Sequence, residues 1–269
     1  MRSMQAHSTS SGRHLKSRLM NQVKLPAYYS RLAPFLTEFE RGNPILTYHK
    51  LGATPARVRL KGLYLSTKLF SRQLEELRSA RFANGSLAKW AKNARQVIIT
   101  FDDGYVNVLR HALEPLARAG FTAIQFLPAN LLGSCNEWDV SQGEVTEPIM
   151  NVGQVREWLA AGHDIGSHTL THPFLTKVDI KQAREEVSAS RKKLEDLFGR
   201  TIDHFCYPYG DWNDSVRDLV QEAGYQTACT TDPGVNTELS STFTLKRFTA
   251  RYPSRTWRTI WSWLGFSKN

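Results

Sequence analysis

Two short polar runs carry the residue types that hydrolytic chemistry needs. The first is Asp102-Asp103-Gly104, directly after the apolar run from Val97 to Phe101. Two adjacent carboxylates at the end of a buried strand repel one another unless a cation stands near them. A turn or a helix cap would use the same residues. The second run is His168-Thr-Leu-Thr-His172. Two imidazoles four residues apart face one metal ion when the turn between them is helical, although surface and core histidines also occur at this spacing. Together the two runs supply one Asp and two His as ligands, with one carboxylate to spare. Three protein ligands and an open position describe a catalytic rather than a structural zinc-type site. An ion held in this way lowers the pKa of a bound water to about 7, and the spare carboxylate would take that water's proton.

The elements that must position these residues follow from hydropathy patterning. Strands are predicted over Ile45–Tyr48, Val97–Phe101, Thr122–Leu127, Asp164–Ser167, His204–Tyr207, Gln226–Thr230 and Phe243–Phe248. Helices fall between them. Ser66 opens one with Phe70, Leu74 and Leu77 on one face, and a second runs from Val106 towards Gly120 with Leu109, Leu113 and Leu116 at helical spacing. A third covers Val152–Ala161. Asp179 opens a long fourth with Ile180, Ala183, Val187, Leu194 and Leu197 on one side, ended by Gly199. Asn213 opens the last, with Val216, Leu219, Val220 and Ala223, ended by Gly224. Polar caps at the start and glycine just past the end are the expected boundary signals. Strands alternating with helices predict an α/β fold with a parallel sheet, and about seven strands in this length predict a barrel, complete or incomplete.

The polar clusters fall at matching places in that pattern. His49 follows the first strand, Asp102-Asp103-Gly104 the second, Ser167-His168 closes the fourth, and Tyr207-Pro208-Tyr209-Gly210 closes the fifth. In α/β barrels the C-terminal ends of the strands build the active site. His111 and His163 read as surface residues, and His204 as a strand residue facing solvent.

Charge distribution narrows the partners. The 269 residues carry a net charge of +10, but residues 1–72 hold 13 basic and 2 acidic side chains, residues 245–269 hold 6 basic and none acidic, and residues 73–244 hold 16 basic and 23 acidic. A nucleic-acid enzyme would carry its positive charge around the site, so no nucleic-acid partner is expected. Basic ends suit an anionic membrane surface. The segment Thr256–Phe266 adds Trp257, Ile260, Trp261 and Leu264 at helical spacing beside Arg255 and Arg258. That pattern fits an interfacial helix or a last helix docked on the barrel. No apolar core follows the basic residues of the first 36, so no signal peptide is expected. The uncharged run Ala119–Asn136 contains Gly, Gln, Pro and Asn and is not a membrane span. Cys135, Cys206 and Cys229 lack metal-ligand spacing, and an odd count excludes a full disulfide framework. A reducing compartment fits them best. The expected location is cytoplasmic, with peripheral contact on the inner face of the membrane.

The residues Thr100-Phe-Asp-Asp-Gly-Tyr105, Ser167-His-Thr-Leu-Thr-His-Pro173 and Tyr207-Pro-Tyr-Gly210, in this order and spacing over roughly residues 44–250, resemble the polysaccharide deacetylase (NodB-homology) family. The resemblance implies a deformed (β/α) barrel of about seven parallel strands and removal of N- or O-acetyl groups from sugars. It implies Asp102 as general base, Asp103, His168 and His172 as ligands to one divalent ion, zinc first, and the backbone N–H of Tyr209 as an oxyanion donor. Two departures stand out. The arginine usual two residues before the proline of the third motif is Cys206 here, and the late Leu-x-His is missing. An early Leu46-Thr-Tyr-His49 instead resembles the permuted branch typified by poly-N-acetylglucosamine deacetylases, which makes His49 the candidate acid. Arg247 is the candidate replacement for the missing arginine beside Asp102. Tyr105, Trp138 and Trp212, near the motif loops, and Arg247 are candidates for substrate contact.

This reading divides the chain into a basic extension (1–40), the deacetylase domain (41–252) and an amphipathic tail (253–269). The expected function is removal of N-acetyl groups from N-acetylhexosamine units of a polysaccharide, oligosaccharide or lipid-linked glycan. A metal amidase acting on a non-sugar amide would use the same chemistry. A non-catalytic glycan-binding relative would have no need of the spare carboxylate.

Overall fold

The structure, a computed structural model, describes residues 28–29, 32, 36–87 and 95–250. The tail, and most of the basic extension, lie outside the described residues. The strands are β1 (Tyr28–Tyr29), β2 (Ile45–Tyr48), β3 (Lys50–Leu51), β4 (Tyr64–Leu65), β5 (Ala83–Asn84), β6 (Gln96–Phe101), β7 (Ala123–Leu127), β8 (Asp164–Ser167), β9 (His204–Cys206), β10 (Thr227–Cys229) and β11 (Phe248–Ala250). The helices are α1 (Leu36–Phe39), α2 (Thr67–Ser79), α3 (Val106–Ala119), α4 (Val152–Ala160), α5 (Ile180–Phe198) and α6 (Asp214–Glu222).

The main sheet runs β1-β11-β2-β6-β7-β8-β9-β10, with β5 added to β6, and every strand pairing in it is parallel. Parallel pairing needs crossovers, and α2 to α6 supply them, so the strands are covered on both faces and read as apolar runs. The residues of β2, β7, β9 and β10 are buried throughout. The sheet curls almost shut. Leu245, just ahead of β11, bridges in parallel to Cys229 of β10, while Phe248 and Thr249 of β11 pair with Leu46 and Thr47 of β2. One segment thus reaches both edges of the sheet, which is the deformed (β/α) barrel.

The last strand differs from the expected Phe243–Phe248. Residues 242–247 spend their backbone bonds on β10 and the loop after it: Ala228 donates to Thr242 O, Leu245 to Ala228 O and Arg247 to Asp232 O. Only from Phe248 does the ladder to β2 begin.

The helix caps act as their residue types dictate. The side chains of Ser66, Asn151, Asp179 and Asn213 each accept a backbone N–H in the first turn, and Asn151 with Gln154 forms a capping box. On α5 the inward face keeps Ala183, Val187 and Leu194 of the expected stripe but not Ile180. Ile180 is 53% exposed, whereas Glu186 and Ser190 are buried beside Ala183, Val187 and Leu194. Neither His163 nor His204 lies on the surface. His163 packs on Trp158 with ring centroids 4.2 Å apart, and His204 Nδ1 pairs with Thr227 Oγ1 at 2.9 Å. Among the described residues no helix is long and apolar enough to cross a membrane.

Candidate active site

Strand register brings the motif residues to one end of the barrel. β2 and β6 pair from Ile45 with Ile98 to Tyr48 with Phe101, and the Asp102 amide donates to Tyr48 O at 3.0 Å. His49 and Asp102 therefore leave neighbouring strands side by side, with His49 Nε2 3.7 Å from Asp102 Oδ2. β8 is held the same way, since the His168 amide donates to Leu127 O, the end of β7, at 2.9 Å.

Asp103 Oδ1 lies 3.3 Å from His168 Nε2 and 3.2 Å from His172 Nε2, all three residues being buried. His168 Nδ1 sits 2.7 Å from the carbonyl oxygen of Cys206. A carbonyl only accepts, so Nδ1 carries a proton. A neutral His168 then turns its Nε2 lone pair onto a carboxylate oxygen, and such a pair requires a cation between them, either a proton or a metal ion. Burial pushes the Asp103 pKa up, but the bonds to the two histidines overcome this and hold it well below the ordinary carboxylate range. Burial also lowers the pKa of His172, which favours the neutral, ligating form. Two imidazole nitrogens and one carboxylate oxygen, buried and converging, fit a divalent metal of the zinc type. Asp102, His168 and Cys206 also lie close together. They suit a cation poorly, because Arg247 already holds Asp102 and burial pushes the Cys206 thiol up to about 11, leaving it neutral.

Strain marks the same place. Asp103, Thr169, His172 and Tyr209 all have φ between 61° and 72°, four of the six non-glycine residues with positive φ among those described. Such conformations cost of order 1–3 kcal/mol each and persist where the surroundings impose them. Gly104 continues the turn at φ 74°, and a Cβ there would stand 2.9 Å from Leu127 Cδ2.

Arg247 is completely buried and grips Asp102 with both arms: Nη1 to Oδ1 and Nη2 to Oδ2, each at 2.8 Å. Its remaining donors reach Thr230 O, Thr100 Oγ1 and Cys206 Sγ. Burial pushes the Asp102 pKa up, and Arg247 first, with His49 and His168, more than reverses this, so Asp102 stays a carboxylate. Arg247 therefore sits where the missing arginine was expected, at the position of a partner to Asp102 rather than of a sugar contact.

The aromatic candidates divide. Trp138 is half-buried and stacks on His172, ring centroids 4.3 Å apart at 22°, so it borders the cluster of Asp103, His168 and His172. Tyr209 meets His172 edge-on at 4.6 Å, stacks flat on Phe174 at 3.8 Å and keeps 36% of its surface exposed. Trp212 is half-buried beside Tyr207, ring centroids 6.4 Å apart. Tyr105 is fully buried, with Lys50 Nζ 4.6 Å from its ring centroid, so its ring offers no face to a sugar.

Two residues at the site escaped the sequence reading. Glu186, from α5, accepts the amides of Leu170 and Thr171 at 2.8 and 2.9 Å and the Thr171 hydroxyl at 2.6 Å, and so pins the loop between the two histidines. Its signal was a carboxylate on the inward face of an amphipathic helix. Lys50, next to His49, is buried with an ammonium that has no hydrogen-bond partner. Nothing in a strand-like run foretells that.

The polysaccharide deacetylase family pattern matches residues 89–228, more than half of the chain. The chain is 27% identical over 206 residues to the putative polysaccharide deacetylase YxkH of Bacillus subtilis, covering 76% of this chain and 70% of that one. It is 26% identical over 141 residues to a chitooligosaccharide deacetylase of Azorhizobium caulinodans, covering 52% of this chain and 60% of that one. Among solved structures, IcaB from Ammonifex degensii shares the fold at a TM-score of 0.68 and 20% identity, covering 82% of this chain and 96% of that one. The family pattern spans both Asp102-Asp103 and His168…His172, the residues that the barrel gathers at one end, and on this ground the chain belongs to the polysaccharide deacetylase family.

Proposed function

We propose that the chain is a metal-dependent hydrolase that removes N-acetyl groups from N-acetylhexosamine units of a glycan. The observation that carries this reading is the convergence of Asp103, His168 and His172 beside a carboxylate, Asp102, whose charge Arg247 maintains. Asp103, His168 and His172 would hold one divalent ion, with zinc the first candidate for two nitrogens and one oxygen. Such an ion, when bound, polarises a carbonyl and lowers the pKa of water to about 7.

The chain's own residues supply the rest. Asp102, ionised and fixed by Arg247, accepts the proton of the attacking water. His49, 3.7 Å from Asp102 and only partly covered, donates a proton to the departing amine. The balance is amide plus water to amine plus acetate. The Tyr209 N–H, on its strained turn, donates to the developing oxyanion. A neutral glycan suits the acidic central part of the chain, and the relatives named for chitooligosaccharide and for peptidoglycan N-acetylglucosamine support an N-acetylated sugar. We further propose peripheral contact with an anionic membrane surface, from the charge of the chain's ends, and a cytoplasmic location, from three cysteines that suit a reducing compartment.

The test measures acetate release from N-acetylglucosamine oligomers, lipid-linked N-acetyl sugars and simple acetamides, with several divalent metals. Turnover of sugars that chelator abolishes and metal restores is expected. His168→Ala or His172→Ala should lose both metal and turnover, and Asp102→Asn turnover alone. Equal rates on sugars and simple acetamides would overturn the glycan assignment, and retained metal in both histidine variants would overturn the ligand set.

A further inference from the structure

Lys50 is a fully buried lysine whose ammonium donates no hydrogen bond, close to a site whose chemistry does not use it. A buried charge without a partner is costly, and it persists only where surrounding charge compensates. Lys50 Nζ lies 4.6 Å from the ring centroid of Tyr105 and 5.1 Å from that of Tyr64, a two-sided cation–π seat. Burial lowers the Lys50 pKa, and four carboxylates, Asp103, Asp139, Glu144 and Glu147, act against that fall and favour the ammonium. Three of these belong to the segment between Cys135 and Pro148.

That segment is acidic, closely fastened and in contact with the metal triad. Asp139 and Glu144 are nearly buried. Glu144 accepts the amides of Arg59 and Leu60, Glu147 accepts the Tyr64 hydroxyl at 2.6 Å, and Asn136 Nδ2 donates to Asp139 at 2.8 Å. Trp138, one residue before Asp139, is the ring stacked on His172. Asp139 and Asp103, both buried, repel one another, and this repulsion raises the Asp139 pKa alongside burial. Lys50 acts against that rise.

We infer that Lys50 is a positioning residue, whose buried ammonium supplies the positive charge that holds the acidic 136–147 segment against the barrel and so keeps Trp138 stacked on His172. It acts through Trp138 and Asp139 and touches no reacting atom. Its position next to His49 ties the same charge to the segment that carries the candidate acid. The catalytic consequence rests on the proposed deacetylase reading, but the conformational one does not.

Hydrogen exchange and tryptophan fluorescence test this in the full chain, with Trp138→Phe identifying the Trp138 signal. Lys50→Met should speed exchange of the 136–147 amides about ten-fold, the scale of losing one moderate charge pair, and leave α6 unchanged. It should also change the Trp138 emission. Asp139→Asn, which keeps Lys50, should loosen the same amides. The double variant should show less than the product of the two effects, because the charges are removed together. On N-acetylglucosamine oligomers Lys50→Met should raise KM more than it lowers kcat. Unchanged exchange at 136–147 in Asp139→Asn, or strictly multiplicative effects in the double variant, would overturn the inference. If Lys50→Met does not fold, the Asp139→Asn exchange decides. Failure to release acetate from any sugar would overturn the function proposed above while leaving these exchange results intact.

Discussion

Replacing Arg247 with Met should separate the stability of this barrel from its chemistry. Arg247 is fully buried and forms two 2.8 Å bonds to a carboxylate that is itself nearly buried, with further bonds to Thr230, Thr100 and Cys206. Methionine fills much of the same volume but leaves Asp102 as a lone buried charge. Breaking a buried pair in this way costs about 3–5 kcal/mol. For a domain of this size that corresponds to a fall in Tm of about 6–20 °C. The loss should be partly recovered in Arg247→Met/Asp102→Asn, which removes both charges, although turnover should not return.

The pH dependence supplies an independent check of sign. In the native chain the Asp102 pKa is depressed, so its contribution to stability is present above the unfolded value of about 4 and is lost as pH falls through the folded value. Without Arg247 only His49 and His168 still act against burial, and the folded pKa is expected to rise above the unfolded one. Between the two values the folded state then binds more protons than the unfolded chain, and stability falls as pH rises. Urea unfolding of both proteins from pH 4 to 8 should therefore diverge towards neutral pH, with Arg247→Met losing most at the high end. A variant within about 0.5 kcal/mol of the native chain at every pH would refute the argument, since that is the scale of an ordinary surface substitution.

Three further outcomes are expected. His49→Ala should lower kcat by roughly 10²–10⁴-fold with metal content unchanged, as for a positioned proton donor; an undiminished kcat, measured with metal content alongside, would remove His49 from the chemistry. Glu186→Ala should weaken metal binding about 10–100-fold by freeing the loop that carries His172, whereas unaltered affinity in a metal titration would make Glu186 a packing residue only. The full chain should co-sediment with anionic vesicles at low salt and release at high salt, and a chain cut after Pro253 should bind less, each basic residue near the surface contributing about 1 kcal/mol; equal, negligible binding by both would leave the tail as a docking helix.

What the sequence made legible and what it hid have separate physical causes. β2 and β8 run over Ile45–Tyr48 and Asp164–Ser167 as the pattern predicts; β2 is the short, mostly apolar run that a strand covered on both faces requires, whereas β8, Asp-Ile-Gly-Ser, is marked by its place between α4 and the histidine run. The Asp103, His168 and His172 cluster was legible because its members lie within five residues of one another or directly after a buried strand. Residues that act across the fold were harder to see. Lys50 and Cys206 sit in runs that look like any strand end, and only the approach of other segments shows that one is a buried ammonium without a hydrogen bond and the other a neutral thiol against Arg247. Glu186 and Ser190 replaced Ile180 on the inner face of α5, because the face is chosen by what it must hold. Glu186 anchors the histidine loop, and the Ser190 hydroxyl meets that of Ser167 at the end of β8 at 2.8 Å.

Arg247 shows why a residue 145 positions from Asp102 can replace one expected on β9. Leu245 bridges to β10 and Phe248 pairs with β2, so Arg247 lies on the only stretch of described chain that touches both edges of the sheet. Its side chain enters the barrel and meets Thr100 and Asp102 at the end of β6, Cys206 on β9 and Thr230 just after β10. An arginine at position 206 would approach Asp102 from β9 alone, with the barrel open or shut. An arginine at 247 reaches it only when the sheet has curled far enough for one segment to span both edges. The charge that keeps Asp102 ionised is in this way coupled to closure of the barrel. Arg247→Met should therefore loosen the pairing of Leu245 with Cys229 and of Phe248 with Leu46 together, and hydrogen exchange at the amides of Leu245 and Thr230, which bond across that seam, should rise. Seam amides as protected as in the native chain would show that the barrel closes without the ion pair.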